Sequence, residues 1–316
     1  MKLHKLTSTI NLEHSAWLEE RKKGIGGSDA GAICGLNPYS TAITVYMDKL
    51  GLSTPVTDNE AMRQGRDLEE YVASRFTEET GMKVRRANAI FYNPDHPFMF
   101  ANVDRLIVGK NAGLECKTTS PYSIDKWANG EIPAHYEIQC HHYMAVTGAD
   151  AWYIACVILG KKFVYRKIDR DEEIIQNLIQ IEKEFWYENV LKEKMPDPDG
   201  SKAADSVISQ YYKTAQEGSI RPLPESSQNA LERRLEVMGL IDRLEKEKAE
   251  IEQNIKLYMK DTETLEGNKF RVSWKNCVSE RIDSKKLKMK FPSVYKECCK
   301  KSTSRRFLVK ELKEDF

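Results

Sequence analysis

Apolar positions recur at helical spacing through much of the first two-thirds of the chain, and turn residues mark where each run stops. The glycines of GIGGSD are followed by Ser28 and Asp29, which read as the cap of a short helix ending at Gly35. A second helix is predicted from Thr41 to Leu50, with Gly51 as its stop, and a longer one from Glu60 to Thr80, closed by Gly81. The period then changes to two. Lys83 to Asn93, Phe98 to Val108 and Leu114 to Thr119 read as strands, the last two joined by GKNAG. Helical spacing returns from His135 to Thr147, Ala151–Leu159 and Phe163–Ile168 form a hairpin around Gly160 and Lys161, and a helix follows from Arg170 to Lys194. This order predicts an α+β (mixed α/β) domain built on a mixed sheet flanked by helices.

MPDPDG breaks the last helix, so residues 1–195 form one predicted domain and residues 196–225 a linker or insert. Residues 226–316 form a helical and basic C-terminal extension. Its first part carries a heptad-like seam, Val237, Ile241, Leu244, Lys248, Ile251, Ile255 and Tyr258, which fits a coiled coil or a helical hairpin packed internally.

The chain has 316 residues, 41% hydrophobic and 31% charged, a globular composition. Its longest apolar run, Ala151 to Leu159, is far short of the roughly 20 residues needed to cross a bilayer. No signal-like apolar core opens the chain, and its seven cysteines do not suggest a disulfide framework, so a cytoplasmic location is expected. The net charge of +1 conceals an uneven distribution. Between Asn268 and Lys310 there are 14 Lys and Arg against three acids, a local +11, interleaved with Phe270, Trp274, Phe291, Tyr295 and Phe307. That pattern suits a phosphate-contacting surface with stacking groups, or a lysine-rich solvated face on a small packing module.

The chemistry concentrates elsewhere. On the Glu60–Thr80 helix, Gly65, Glu69, Val72 and Phe76 fall on one face, so a carboxylate shares the apolar stripe, while Glu70 falls on the polar face. A carboxylate so placed is costly unless paired, hydrogen-bonded or metal-bound. In LECK, Glu115 and Lys117 share one face of a strand, and Asp104 comes from the partner strand. Three carboxylates within about 5 Å repel by roughly 3 kcal/mol per pair at an effective dielectric of 20, and a divalent cation relieves this. All-oxygen ligands favour Mg²⁺ or Mn²⁺. Such an ion activates water and polarises a phosphodiester, with Lys117 as a neighbouring point charge. Taken alone, the Glu115–Lys117 pair also fits a salt bridge on a solvated strand.

These residues resemble the PD-(D/E)XK nucleases, and among them the YqaJ-type viral recombinase family that includes phage lambda exonuclease. The resemblance runs from Trp17 to Lys194 through Arg21 with Gly24–Asp29, the GRDLEE helix at Gly65–Glu70, the strand Asn102–Asp104, LECK at Leu114–Lys117, and YEIQCHHYMAVTG at Tyr136–Gly148. It implies a restriction-endonuclease-like core. Glu69, Asp104 and Glu115 then hold the metal, Lys117 completes the catalytic set, and the family's helical glutamine falls on Gln139. The family often carries a second glutamine two residues on, where this chain has His141. The resemblance also assigns Arg21 and Ser28 to a 5′-terminal phosphate, a role that helix-end N–H groups and a forked guanidinium can serve. A plain N-cap for Ser28 and a surface arginine at Arg21 are the alternatives.

The implied activity is a Mg²⁺-dependent (or Mn²⁺-dependent) exonuclease that degrades one strand of linear double-stranded DNA from 5′ to 3′. The implied partners are duplex ends, a single-strand annealing protein and further copies of the chain in a ring-like trimer, in a bacterial cell carrying a phage or prophage. Alternatives are a silent DNA-binding scaffold for a recombination partner and an endonuclease. GIGGSD lacks the GK[ST] of a Walker loop, the six histidines show no zinc spacing, and Cys277, Cys298 and Cys299 do not match an iron–sulfur pattern.

Overall fold

The structure, a computed structural model, describes residues 1–53, 59–300 and 304–311. It divides into two compact units, Met1–Tyr212 and Lys213–Phe316. In chain order the first unit contains β1 (His4–Ser8), α1 (His14–Lys22), β2 (Ile25–Gly26), α2 (Gly27–Ile33), α3 (Ala42–Lys49) and α4 (Glu60–Thr80). Next come β3 (Val84–Arg86), β4 (Ala89–Tyr92), β5 (Met99–Asn102), β6 (Arg105–Ile107), β7 (Ala112–Thr119) and α5 (Ala134–Thr147). The unit ends with β8 (Ala151–Ile158), β9 (Lys162–Asp169), α6 (Glu172–Glu184) and α7 (Lys202–Tyr211).

The architecture is the expected mixed α+β one, with two sheets. Five strands in the order β3-β6-β7-β8-β9 make the larger sheet, and β1-β4-β5-β2 the smaller. β7 and β8 run parallel, so the chain between them must cross over, and α5 is that crossover helix. β8 is buried along nearly its whole length because both faces are covered. Leu114, Tyr153 and Ala155 pack with Val72, Ala73 and Phe76 of α4, while Trp152, Ile154 and Cys156 lie in the core with Cys140, Tyr143 and Met144 of α5. Gly113 on β7 is required by this packing, since a Cβ there would sit 2.2 Å from the Trp152 ring.

Two expected strands each prove to be a pair of short ones. Lys83–Asn93 breaks near Asn88, whose φ is +50°, into β3 of one sheet and β4 of the other. Phe98–Val108 breaks at Val103–Asp104 into β5 and β6, again in different sheets. Within these two stretches the chain passes between sheets twice, and Asp104 stands at the second of these passages. The final helix of the expected domain, predicted to reach Lys194, ends earlier, as α6 runs into a wider helical turn at Phe185–Val190. β1 and α1 had no counterpart in the sequence reading.

The predicted boundary also moves. Within the segment read as a linker or insert, α7 buries Ala204 and packs on α3, so the first unit extends to Tyr212. In the second unit, α8 (Glu225–Met259) is one unbroken helix of 35 residues, which corrects the helical-hairpin alternative. Its seam residues Val237, Ile241, Leu244, Ile251 and Tyr258 are exposed. Beyond it lie the hairpin β10 (Thr264–Glu266) and β11 (Arg271–Ser273), then α9 (Ser284–Lys290) and α10 (Pro292–Cys298). Among the described residues no helix is long and apolar enough to cross a membrane.

Candidate active site

Glu115 and Lys117 lie two apart on β7 and meet directly, with Lys117 Nζ 2.6 Å from Glu115 Oε1. The same oxygen accepts a 2.8 Å hydrogen bond from Nε2 of Gln139 on α5. Gln139 Nε2 also donates to the Tyr143 hydroxyl at 2.8 Å, one helical turn on. The second carboxylate oxygen of Glu115 is buried and has no hydrogen-bond partner. Asp104 joins from the sheet passage, its Oδ2 accepting the Cys116 N–H at 2.8 Å, which ties it to β7 beside Glu115.

This concentration of acid has electrostatic consequences. Burial, then the charges of Glu115 and Glu69, push the Asp104 carboxyl well above the usual carboxylate range. Burial would depress the Lys117 ammonium, but Glu115, Tyr136 and Asp104 outweigh it and hold its pKa above the ordinary value. Lys117 also sits 4.6 Å from the centre of the Tyr136 ring, a cation–π contact.

Glu69 is placed less deeply than the stripe it was read with. Its side chain is about one-third exposed and paired with Arg105, the residue after Asp104. Arg105 is almost completely buried and also binds Glu70 Oε2 at 3.0 Å and the Asp104 carbonyl at 2.8 Å. Arg86 shares Glu70 at 2.8 Å. The carboxylate on the apolar stripe is therefore explained by an arginine, a pairing the sequence reading did not include. Among the described residues no three His, Cys, Asp or Glu side chains gather as a metal-holding group. Asp104 and Glu115 lie together, and Glu69, near enough for its charge to raise the Asp104 carboxyl, is itself paired with Arg105.

A second group lies in the same cleft. Arg21 donates to Ser28 Oγ at 2.8 Å and stacks its guanidinium 4.8 Å from the centre of the Trp17 ring. Ser28 is not the helix cap, since Gly26 occupies that position and Asp29 accepts the Gly26 N–H at 2.9 Å. Asp29 is clamped by Lys49, whose side chain is fully buried and whose Nζ lies 2.6 Å from Asp29 Oδ2 and 3.0 Å from the Arg21 carbonyl. The cleft, about 170 Å³, is lined by Arg21, Ser28, Asp104, Glu115, Gln139 and Tyr143 among others. His141 is buried elsewhere on α5, near Glu137, Asp171 and Arg170, and does not line it. Of the two candidates on that helix, Gln139 is the one that meets Glu115.

Four contributors were not read from the sequence: Arg105, Tyr143, Trp17 and Lys49. Tyr143 was within reach, being four residues from Gln139 on a helix. Arg105 carries no such signal, because alternation along a strand places it opposite Asp104.

Asp104 and Glu115 suit a small hard cation. They offer only oxygen, one of those oxygens is buried and unpartnered, and the paired acids repel each other. Mg²⁺ is commonly held by one or two carboxylates, with water and a phosphate completing its shell.

Comparison with known proteins identifies the family. Residues 16–150 match the YqaJ-like viral recombinase domain, a span containing each predicted site residue. The chain is 40% identical over 311 residues to the uncharacterized protein YqaJ of Bacillus subtilis (strain 168), covering 97% of both proteins. It belongs to the YqaJ-like viral recombinase family. In fold, 57% of the chain superimposes on 94% of LHK-Exo, crystallised in complex with dAMP, with a TM-score of 0.50 and 20% identity. A second crystal structure, of the alkaline exonuclease LHK-Exo from Laribacter hongkongensis, is matched over 64% of this chain and all of that one, with a TM-score of 0.49 and 18% identity. Over that 57% the chain shares the fold of LHK-Exo.

Proposed function

We propose that the chain is a metal-dependent DNA exonuclease that removes nucleotides from one strand of linear duplex DNA, from the 5′ end, leaving single strands for recombination. The observation that carries this reading is the state of Glu115. One of its oxygens is held by Lys117 and Gln139, while the other is buried and unpartnered, in a cleft that Asp104, Arg21 and Ser28 also line. Mg²⁺ or Mn²⁺ on Asp104 and Glu115 would supply an activated water and charge neutralisation at the scissile phosphate.

The chain's own groups divide the remaining work. Gln139 fixes the Glu115 carboxylate and is itself fixed by Tyr143, so the acid is held in one orientation before substrate arrives. Lys117, an ammonium paired with Glu115, offsets charge that grows on the phosphate oxygens. Arg21, braced by Trp17, Ser28 and the Lys49–Asp29 clamp, presents a fork suited to a terminal phosphate. The 5′ to 3′ direction, a single-strand annealing partner, a ring of copies and a cytoplasmic site of action rest on family resemblance and are part of the proposal.

The test is a time course with purified full-length chain, Mg²⁺ and 5′-phosphorylated linear duplex labelled separately at each terminus. The 5′ label should be released first as mononucleotide, covalently closed circles should be spared, and Glu115→Gln with Lys117→Ala should bind DNA without cutting it. Intact linear duplex across salt and metal conditions would overturn the enzyme reading, and cleavage of closed circles would replace it with an endonuclease. One observation favours a silent DNA-binding scaffold: the grip of Arg105 on Glu69, which leaves two carboxylates for the metal. Under that reading the double variant has no activity to lose.

A further inference from the structure

The most basic stretch of the chain is also the one that builds no core. Among the described residues after Met259, none is buried. Phe270, Trp274, Phe291 and Phe307 are all at least half exposed, although a segment this rich in aromatics would ordinarily bury some of them. The hairpin shows how they are displayed. Register pairs Leu265 with Val272, and pairing continues to Trp274, whose N–H donates to the Glu263 carbonyl at 2.9 Å. By alternation Phe270, Val272 and Trp274 share one face of the ribbon, while Arg271 and Lys275 take the other.

Between residues 264 and 298, few cations have an acidic partner among the described residues. Arg271 and Lys275 have loose acidic neighbours, Glu266 at 3.6 Å and Glu263 at 3.8 Å. On α9, Lys285, Lys286, Lys288 and Lys290 have no acidic partner among the described residues, and Asp283, the nearest acid in sequence, caps the helix by accepting the Lys286 N–H at 2.9 Å. Lys288 instead faces the Tyr295 ring at 5.8 Å. Four lysines within six residues of α9 repel one another, and the exposed aromatics of the hairpin gain little from water, so the two elements suit a ligand that brings both negative charge and flat apolar groups.

We infer that residues 264–298 form a further nucleic-acid site that binds single-stranded DNA by lysine contacts to phosphates and by stacking of unpaired bases on Phe270 and Trp274. Charge complementarity selects a polyanion. The exposed aromatics select a single strand, because bases in a duplex already stack on each other and offer no free face. The inference goes beyond the exonuclease reading and is tested without turnover.

The experiment uses the full chain in EDTA. Anisotropy of a 3′-labelled, 5′-hydroxyl oligo-dT is followed across a salt series, beside a duplex closed by hairpins at both ends. Replacing Lys285, Lys286, Lys288 and Lys290 with Gln should weaken oligo-dT binding and flatten the plot of log Kd against log salt by up to about 3, at roughly 0.7 per phosphate contact released. Phe270→Ala with Trp274→Ala should weaken oligo-dT binding about fivefold or more with the slope unchanged, and should leave the closed duplex unaffected. Circular dichroism confirms that α8 and the first unit stay folded in each variant. Unchanged oligo-dT affinity in either variant overturns the inference. Equal losses on oligo-dT and closed duplex overturn its single-strand part and assign the surface to duplex backbone. Loss of oligo-dT binding in the variants of a chain that cuts no linear duplex upholds the site while refuting the exonuclease reading.

Discussion

Gly27→Ala adds one methyl at a position where the structure leaves no room for it. A Cβ on Gly27 would lie 2.5 Å from Cε1 and 2.9 Å from Cζ of Tyr143. Ordinary carbon contact begins at about 3.5 Å, so the ring must retreat by about 1 Å. It cannot do so freely, because Tyr143 is buried, packs on Trp152 with ring centres 5.2 Å apart, and holds Gln139 through its hydroxyl. Overpacking of this size costs about 1–3 kcal/mol, and replacing a helical glycine by alanine returns up to about 1 kcal/mol. At about 2–4 °C per kcal/mol, the melting temperature should fall by no more than about 12 °C. The effect on chemistry is larger. The displaced hydroxyl carries Gln139, Gln139 orients Glu115, and a misplacement of about 1 Å in a reacting constellation costs on the order of 100-fold. Initial rates on 5′-phosphorylated linear duplex and thermal unfolding by circular dichroism are read on the same preparation. Gly27→Ala combined with Tyr143→Leu should recover stability without recovering rate, since the clash goes but the hydroxyl does not return. A Gly27→Ala chain with parental rate and parental melting temperature would refute the reasoning.

Other perturbations have defined outcomes. Lys49→Met should destabilise the chain by about 3–5 kcal/mol in urea titration, because it strips the buried Asp29 of its closest cation, and adding Asp29→Asn should recover part of that loss. Arg105→Met should lower stability by about 1–3 kcal/mol through its lost bonds to charged groups, and should lower the Mg²⁺ concentration for half-maximal cleavage, because a cation leaves the site and Glu69 is freed. A rise in that midpoint would contradict the placement of Arg105. Stability should decline at both ends of the pH scale. Burial raises the Asp29 pKa, but Lys49 and Arg21 outweigh it and hold it low, so its contribution is complete above about pH 4 and is lost as pH falls through the folded value. Burial alone would lower the His142 pKa, but its buried partner Glu182 at 2.8 Å raises it, so that contribution is complete below about pH 6.5 and is lost as pH rises through the folded value. Urea titrations at pH 3, 6 and 9 should show both limbs, and His142→Gln should flatten the alkaline one.

Much of the fold was legible because periodicity is a local property. α3, α4, α5 and the β8–β9 hairpin fall within a residue or two of where spacing and glycine stops place them. The two divided strands were not legible, since residues on either side of a passage between sheets keep the same alternation and only partner choice separates them. The boundary at Tyr212 was hidden for a similar reason: α7 is short and belongs to the first unit only because α3 offers Ala204 a place to bury.

In the site, residue type and spacing alone determined that acids and a lysine would meet on β7. Glu115 and Lys117 share a face by strand geometry, and Asp104 lies across a short connection, so any folding of that hairpin brings them close. What tertiary structure decided was the state of each group. Glu69 has the spacing of a buried ligand but is held by Arg105, because β6 places a guanidinium against α4. Gln139 rather than His141 reaches Glu115, because the crossover sets the rotation of α5 over β7. Arg21 and Ser28 share the cleft with residues almost 120 positions away because β2 pairs with β5, a contact that no local pattern encodes. Spacing along a chain specifies which side chains share a face, while charge compensation and cleft formation depend on which faces meet, and only packing of the whole unit settles that.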